Sequence, residues 1–298
     1  MKKITRRSFL AAAGLSAALA LTACSSTSSS TAASSSAASS SAASEAASEA
    51  ASSEASTQAI QTLEDLDGKT VGVQLGTTGD LMMSEEVGKA DGLNLAGVEQ
   101  YNKAADAVQA LLTNKIDAVC IDDQVAKNFV AANPDELVML DTAYAEESYA
   151  IAVSKDNPEL TEALNGAIAE LMSDGTLDAI LDKYIAKVEG ATGYVSPEGT
   201  EYPNGTLVMA TNAAFDPYEY IENGEIVGID AEFAKALCDK LGYDLEIEDM
   251  EFDSIIAAVV SGKADFGMAG MTVTPEREEQ IDFTDTYCTA AQNIIVLK

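Results

Sequence analysis

One pattern occurs twice in this chain of 298 residues. Residues 107–122 read A-V-Q-A-L-L-T-N-K-I-D-A-V-C-I-D, and residues 255–270 read I-I-A-A-V-V-S-G-K-A-D-F-G-M-A-G. In each, an apolar helical run ends on Asn-Lys or Gly-Lys, an aspartate stands two residues past the lysine, and a short run of strand character follows. Lys115 falls opposite Lys263, and Asp117 opposite Asp265. Each unit also follows a short apolar strand and turn, at 70–78 and at 207–215. Two copies of a strand–turn–helix…helix–strand unit predict two α/β lobes of one architecture.

Not all of the chain can belong to those lobes. Residues 1–23 begin with Lys2, Lys3, Arg6 and Arg7 and continue in an apolar run at 9–21. That run is too short to span a bilayer and reads as an export leader. The sequence L-T-A-C at 21–24 fits a lipoprotein cleavage site, with Cys24 as the lipidated residue. T-R-R-S-F-L at 5–10 suits either a twin-arginine or a general secretory route. Residues 24–59 are almost wholly Ser, Ala and Thr, have too little apolar surface to bury, and read as a disordered tether.

The folded part is expected to comprise one lobe at 60–148, a hinge strand and packing helices at 149–189, a linker at 190–205 and a second lobe at 206–298. Leu160, Ala163, Leu164, Ala167, Ile168 and Leu171 repeat at helical spacing after Asn157-Pro158. Asp230 is expected to cap a helix over 231–241, with Gly242 as its stop. Four glycines and two prolines make 190–205 a connector.

Charge narrows the partners. Forty-nine acidic against 17 basic residues give a formal net charge of −32, which argues against nucleic acid and anionic lipid. There is no histidine, and Cys120, Cys238 and Cys288 form no C-x-x-C pair. No metal or other cofactor is therefore expected, and the three thiols read as small buried hydrophobes.

The most specific signal is a series near the C-terminus: G-I-D-A-E-F-A-K-A-L at 228–237, S-G-K-A-D-F at 261–266, M-T-V-T-P-E-R at 271–277 and I-D-F-T-D-T-Y at 281–287. Together these resemble the first half of a polar-amino-acid solute-binding protein, the receptor of an ABC importer (extracellular solute-binding protein family 3). L-E-D-L-D-G-K-T-V-G-V-Q-L-G-T-T at 63–78 and Y-A-I-A-V-S-K-D-N at 149–157 resemble that family's second half. The family fold is a two-lobed, type II periplasmic-binding-protein architecture with a mixed sheet in each lobe. Here the halves stand in reverse order, so the sequence looks circularly permuted, with 190–205 joining the old ends. On that reading only the crossover at 149–154 stays continuous. Residues 294–297 should pair beside it, and Lys298 should lie near Leu63.

The resemblance also places a site. An amino acid presents a carboxylate and an ammonium on one carbon, and a planar guanidinium is the best partner for the former. Arg277 stands where the family holds the α-carboxylate, with the hydroxyl and N–H of Thr272 beside it and the backbone of Gly270 facing the ammonium. Gly76, Thr77, Thr78 and Gly79 would add N–H groups from the other lobe. Asp122 matches the ammonium-binding aspartate, with Asp123 as the alternative. Phe215 and Phe252 would cover the ligand, and Asn212 and Gln74 are further ligand-binding candidates. Basic-amino-acid binders carry aspartate where Asn212 stands, so the implied ligand is a neutral polar L-amino acid. The implied partners are that small molecule and a membrane permease, for a chain expected to be monomeric. A cyclohexadienyl-dehydratase-like enzyme on the same fold and a ligand-sensing domain for a separate signalling partner are the competing readings. The absence of histidine and of a nucleophile triad favours binding over catalysis.

Overall fold

Two sheets of the same strand order carry the fold. The computed structural model describes residues 59–298; the leader, Cys24 and the tether lie outside them. From the N-terminal side come β1 (Thr70–Gln74), α1 (Thr78–Glu85), β2 (Gly97–Tyr101), α2 (Ala104–Leu112), β3 (Ala118–Asp122), α3 (Asp123–Ala132), β4 (Leu137–Met139), β5 (Ala145–Tyr149) and β6 (Ala152–Val153). Helices α4 (Pro158–Ser173) and α5 (Thr176–Tyr184) follow. The rest is β7 (Thr206–Thr211), β8 (Ala214–Phe215), β9 (Glu219–Glu222), β10 (Glu225–Val227), α6 (Ile229–Leu241), β11 (Asp244–Asp249), α7 (Ile255–Val260), β12 (Phe266–Gly267), α8 (Pro275–Glu278), β13 (Asp282–Phe283) and β14 (Cys288–Leu297).

The first sheet runs β2-β1-β3-β14-β4 and the second β11-β7-β12-β6-β13. In both, the first three strands are parallel and the fourth is antiparallel. The repeated units at 107–122 and 255–270 supply equivalent helix–strand pairs, α2–β3 and α7–β12. The repeated aspartates do the same work in each: Asp117 accepts from Thr70 N at 2.8 Å and Asp265 from Val208 N at 2.8 Å. Each thereby ties the start of the third strand to the first.

Each sheet takes its antiparallel strand from the other side of the chain. β6 enters the second sheet directly after β5, and β14 enters the first directly after β13. The main chain therefore crosses between lobes twice without interruption, which corrects the expectation of one continuous crossover. Residues 294–297 do not pair beside 149–154 either. It is Cys288–Gln292 that pairs with β5, while Ile294, Ile295 and Val296 pair with Cys120, Val119 and Ala118. The reason is reach: ten extended residues cover about 33 Å, enough to run from the hinge across the first sheet. Lys298 donates its N–H to Glu136 O and shares a surface hollow with Ala59 and Ile60. Both ends of the described chain thus lie on the first lobe.

Helix α4 begins as the sequence predicts, with Asn157 accepting from Leu160 N and Pro158 in the first turn. It buries Leu160, Leu164, Ile168 and Leu171 against α5 and α6. The cap of α6 differs from expectation. Gly228, at φ +124°, is its N-cap, because a Cβ there would meet Tyr218 O at 2.2 Å. Asp230 lies inside the first turn and points into the lobe. The connector at 190–205 has no regular structure, yet it is pinned to α6. Tyr194 donates its N–H to Glu232 and its hydroxyl to Asp239, and Tyr202 accepts from Lys235 at 2.8 Å. Cys120 and Cys238 are buried as expected, whereas Cys288 is half-buried near the hinge.

Candidate functional site

The C-terminal ends of β1 and β3 face those of β7 and β12 across a cleft. Gln74, Thr77, Thr78 and Asp122 line it from the first lobe, and Asn212, Phe215, Phe252, Gly270 and Arg277 from the second. These are nine of the ten ligand-binding candidates that the sequence suggests. The tenth, Thr272, stands behind Arg277 and turns away. Its carbonyl accepts from Arg277 at 2.7 Å and its hydroxyl donates to Glu147 at 2.8 Å. A hydroxyl has one proton, so this one is not available to a ligand carboxylate, which corrects the expectation that it would bind one.

Arg277 is held by a short local device. Thr274 caps α8 by accepting from Arg277 N at 3.3 Å, with Pro275 in the first turn. The side chain is 5 % exposed. Its Nη1 bonds Thr272 O, its Nη2 reaches Gly76 O of the opposite lobe at 3.0 Å, and its Cζ lies 5.4 Å from the Phe252 ring centroid. Burial pushes its pKa down to about 10, against the pull of Glu147 and Asp122. It remains a cation at neutral pH. Among the described residues no carboxylate comes within ion-pair distance of it. A buried guanidinium fed only by carbonyl oxygens and an aromatic ring is short of an anion.

Asp122, at the end of β3, is the counterpart. Burial drives its pKa well above the carboxylate range, with the Glu147 charge adding to the effect. Tyr149 donates its hydroxyl to it. Of the two aspartates, Asp122 lines the cleft, while Asp123 pairs with Lys127 and Gln124 on the outer side. The N–H groups of Thr78 and Gly79 open α1 without intrahelical acceptors. Gly270 sits at φ +54°, where a Cβ would touch the Phe215 ring at 3.2 Å, and its N–H donates to Asp230.

Residues the sequence reading missed complete the site. Glu219 lines the cleft with 0 % exposure, and neither of its oxygens has a hydrogen-bond donor in reach. Burial, then the neighbouring Asp230, push its pKa well above the carboxylate range, which favours a proton shared between the two acids. Burial also raises the Asp230 pKa to about 6, against bonds from Gly270 N and Tyr287. The other absentees are Glu147, Tyr149 and Gln292. An acid within A-E-E-S-Y, just ahead of an apolar crossover, was the available signal. The lobes meet closely: Gln74 Nε2 donates to Asn212 Oδ1 at 2.9 Å across the cleft. The space left is ≈ 10 Å³, about one water, so a small solute enters only if the lobes part.

Two lobes with two crossovers enclose a buried cation and a buried acid in a cleft scaled to a small solute. The chain belongs to the extracytoplasmic solute-binding proteins of ABC transporters. Residues 207–298 match the bacterial extracellular solute-binding proteins, family 3, and residues 40–202 match the family described as ABC transporter, phosphonate, periplasmic substrate-binding protein. Similar curated proteins include the arginine-binding extracellular protein ArtP of Bacillus subtilis, 47 % identical over 35 % of this chain and 40 % of its own. The L-cystine-binding protein TcyJ of Escherichia coli is 34 % identical over 42 % of this chain and 45 % of its own. A probable histidine-binding protein of Campylobacter jejuni is 35 % identical over 42 % and 47 %. The chain thus spans less than half the length of each of these relatives.

Proposed function

We propose that this protein is the receptor of an amino-acid ABC importer, and that it grips the zwitterionic head of an L-amino acid between its closing lobes. The observation that carries this is Arg277, a buried guanidinium without a carboxylate partner among the described residues, facing the buried Asp122 across the cleft. A ligand α-carboxylate would supply the missing anion, aided by the N–H groups of Thr78 and Gly79, and Asp122 would take the ammonium. Ligand then favours the closed state by contacting both lobes, and a membrane permease reads that state. The leader would direct export, and lipidated Cys24 with the tether would then hold the protein, as a monomer, on the outer face of the membrane.

For the ligand side chain we favour a neutral polar group. Asn212 and Gln74 offer amides at that end of the cleft, and the Glu219 carboxyl there is pushed toward its protonated form by burial. One observation favours a second reading. Glu219 has no donor in reach, and a cationic side chain such as arginine's could supply one and ionise it. The relatives named for arginine and histidine lend that reading support.

The test is thermal melting of the protein against all twenty amino acids, ornithine and cystine, since a ligand that binds only the folded state raises the melting temperature. A large shift with glutamine or another neutral polar amino acid, lost in Arg277→Ala, is expected. Shifts confined to arginine, lysine and ornithine would establish the second reading. A flat panel from folded, ligand-free protein would overturn the receptor assignment.

A further inference from the structure

The buried carboxylate of Glu147 sits on β5, one of the strands that link the lobes, and is 8 % exposed. It collects three donors. Thr78, in the first lobe, gives its hydroxyl to Oε2 at 2.8 Å. Thr272, in the second lobe, gives its hydroxyl to the same oxygen at 2.8 Å. Gln292 of β14, fully buried, gives Nε2 to Oε1 at 2.8 Å and also approaches Thr78 Oγ1 at 3.2 Å. Burying a carboxylate is costly unless such donors converge on it, and bonds to an ionised acceptor are stronger than neutral ones.

We propose that Glu147 is a positioning residue for ligand binding: it clasps the two lobes together through Thr78 and Thr272 and fixes which way their hydroxyls point. The inference rests on the receptor reading above. Three of the four groups belong to the first lobe, because Gln292 pairs opposite Asp122 in the first sheet and Thr78 opens α1. Of the three bonds, only Thr272–Glu147 joins the two lobes, so it is the one that lobe opening can break while the other two stay intact. The proton count gives the second consequence. Each hydroxyl spends its single proton on Glu147, so its oxygen is left only as an acceptor. Thr78 Oγ1 already receives Gln292. Neither hydroxyl is then left to donate to a ligand carboxylate.

The test is a double-mutant cycle in the full chain with Glu147→Gln, Thr272→Val and the pair together. The probes are L-glutamine and L-arginine, titrated calorimetrically. A second readout is the distance between spin labels at Val138 and Val260, both exposed and on different lobes, without ligand. Losing one bond to an ionised acceptor should weaken binding about tenfold or more. Thr272→Val should do the same, the pair should be no worse than either alone, and Thr272→Ser should restore binding. Both single variants should lengthen the interlobe distance. Effects that multiply in the pair, or unchanged affinity and distance in Thr272→Val, would overturn the clasp. Should Glu147→Gln fail to fold, Thr272→Val against Thr272→Ser decides the question alone. Failure of the wild type to bind either probe or any amino acid in the melting panel would instead overturn the receptor reading.

Discussion

At the residue scale, the site is a balance of buried charges. Arg277 acts through its planar fork and through contact with Phe252, neither of which an ammonium reproduces. Arg277→Lys should leave the circular dichroism spectrum unchanged and still weaken amino-acid binding by about two orders of magnitude, the scale expected when a buried, charge-assisted bidentate contact is lost. Isothermal titration checks this. Glu219 and Asp230 set a pH dependence whose sign follows from their raised pKa values. In the unfolded chain both ionise in the ordinary carboxylate range, whereas in the folded protein they hold their protons longer. Their contribution to stability is complete at low pH and is lost as pH rises, for Asp230 between about 4 and about 6. Glu219→Gln, which keeps a donor for Asp230, should flatten the fall in urea midpoint between about pH 4.5 and 7. An unchanged slope would mean that Glu219 is not the protonated partner.

At the element scale, α6 joins the second lobe to α4 and α5. Phe233 is fully buried on it and packs against Tyr287, whose hydroxyl reaches Asp230. Phe233→Ala should cost about 3–5 kcal/mol by transfer and cavity terms, read as a lower denaturant midpoint. Because the same cluster supports Asp230 and hence Gly270 N, ligand affinity should fall as well. This helix also shows what a pattern can and cannot reveal. Its span and its Gly242 stop were visible in apolar spacing. Asp230 was mistaken for a cap, because a short acid before an apolar run is a capping signal whether or not the side chain turns outward. Only the approach of Tyr218 O to Gly228 and of Gly270 N to Asp230 decided its direction.

At the scale of the whole molecule, β14 binds the lobes together. It pairs with β3, β4 and β5 and buries Ile294, Ile295 and Val296 in the first lobe. Ending the chain after Gln292 should prevent cooperative folding of that lobe, seen as loss of the thermal transition. The position of the ends makes a second prediction. Lys298 shares a hollow with Ala59 and Ile60, so a chain running from 200 to 298 and then directly from 59 to 199 should fold to the same lobes. It would have the order that the family resemblance implies, and its ligand affinity should stay within a few fold of the natural chain. A misfolded product would show that the two ends do not lie as close as this hollow places them.

The sequence by itself determined the paired architecture, the helix spans and nearly all the cleft-lining residues, because apolar periodicity, glycine turns and the M-T-V-T-P-E-R segment are local signals. Through the family resemblance it also singled out Arg277, which the fold buries at the cleft. The tertiary structure alone decided that β14 crosses into the first sheet, that Thr272 turns to Glu147, that Glu219 is buried beside Asp230 and that 190–205 is pinned on α6. Each of these depends on which groups distant in sequence are desolvated together. Desolvation sets both the charge state of an acid and the one partner to which a hydroxyl gives its proton.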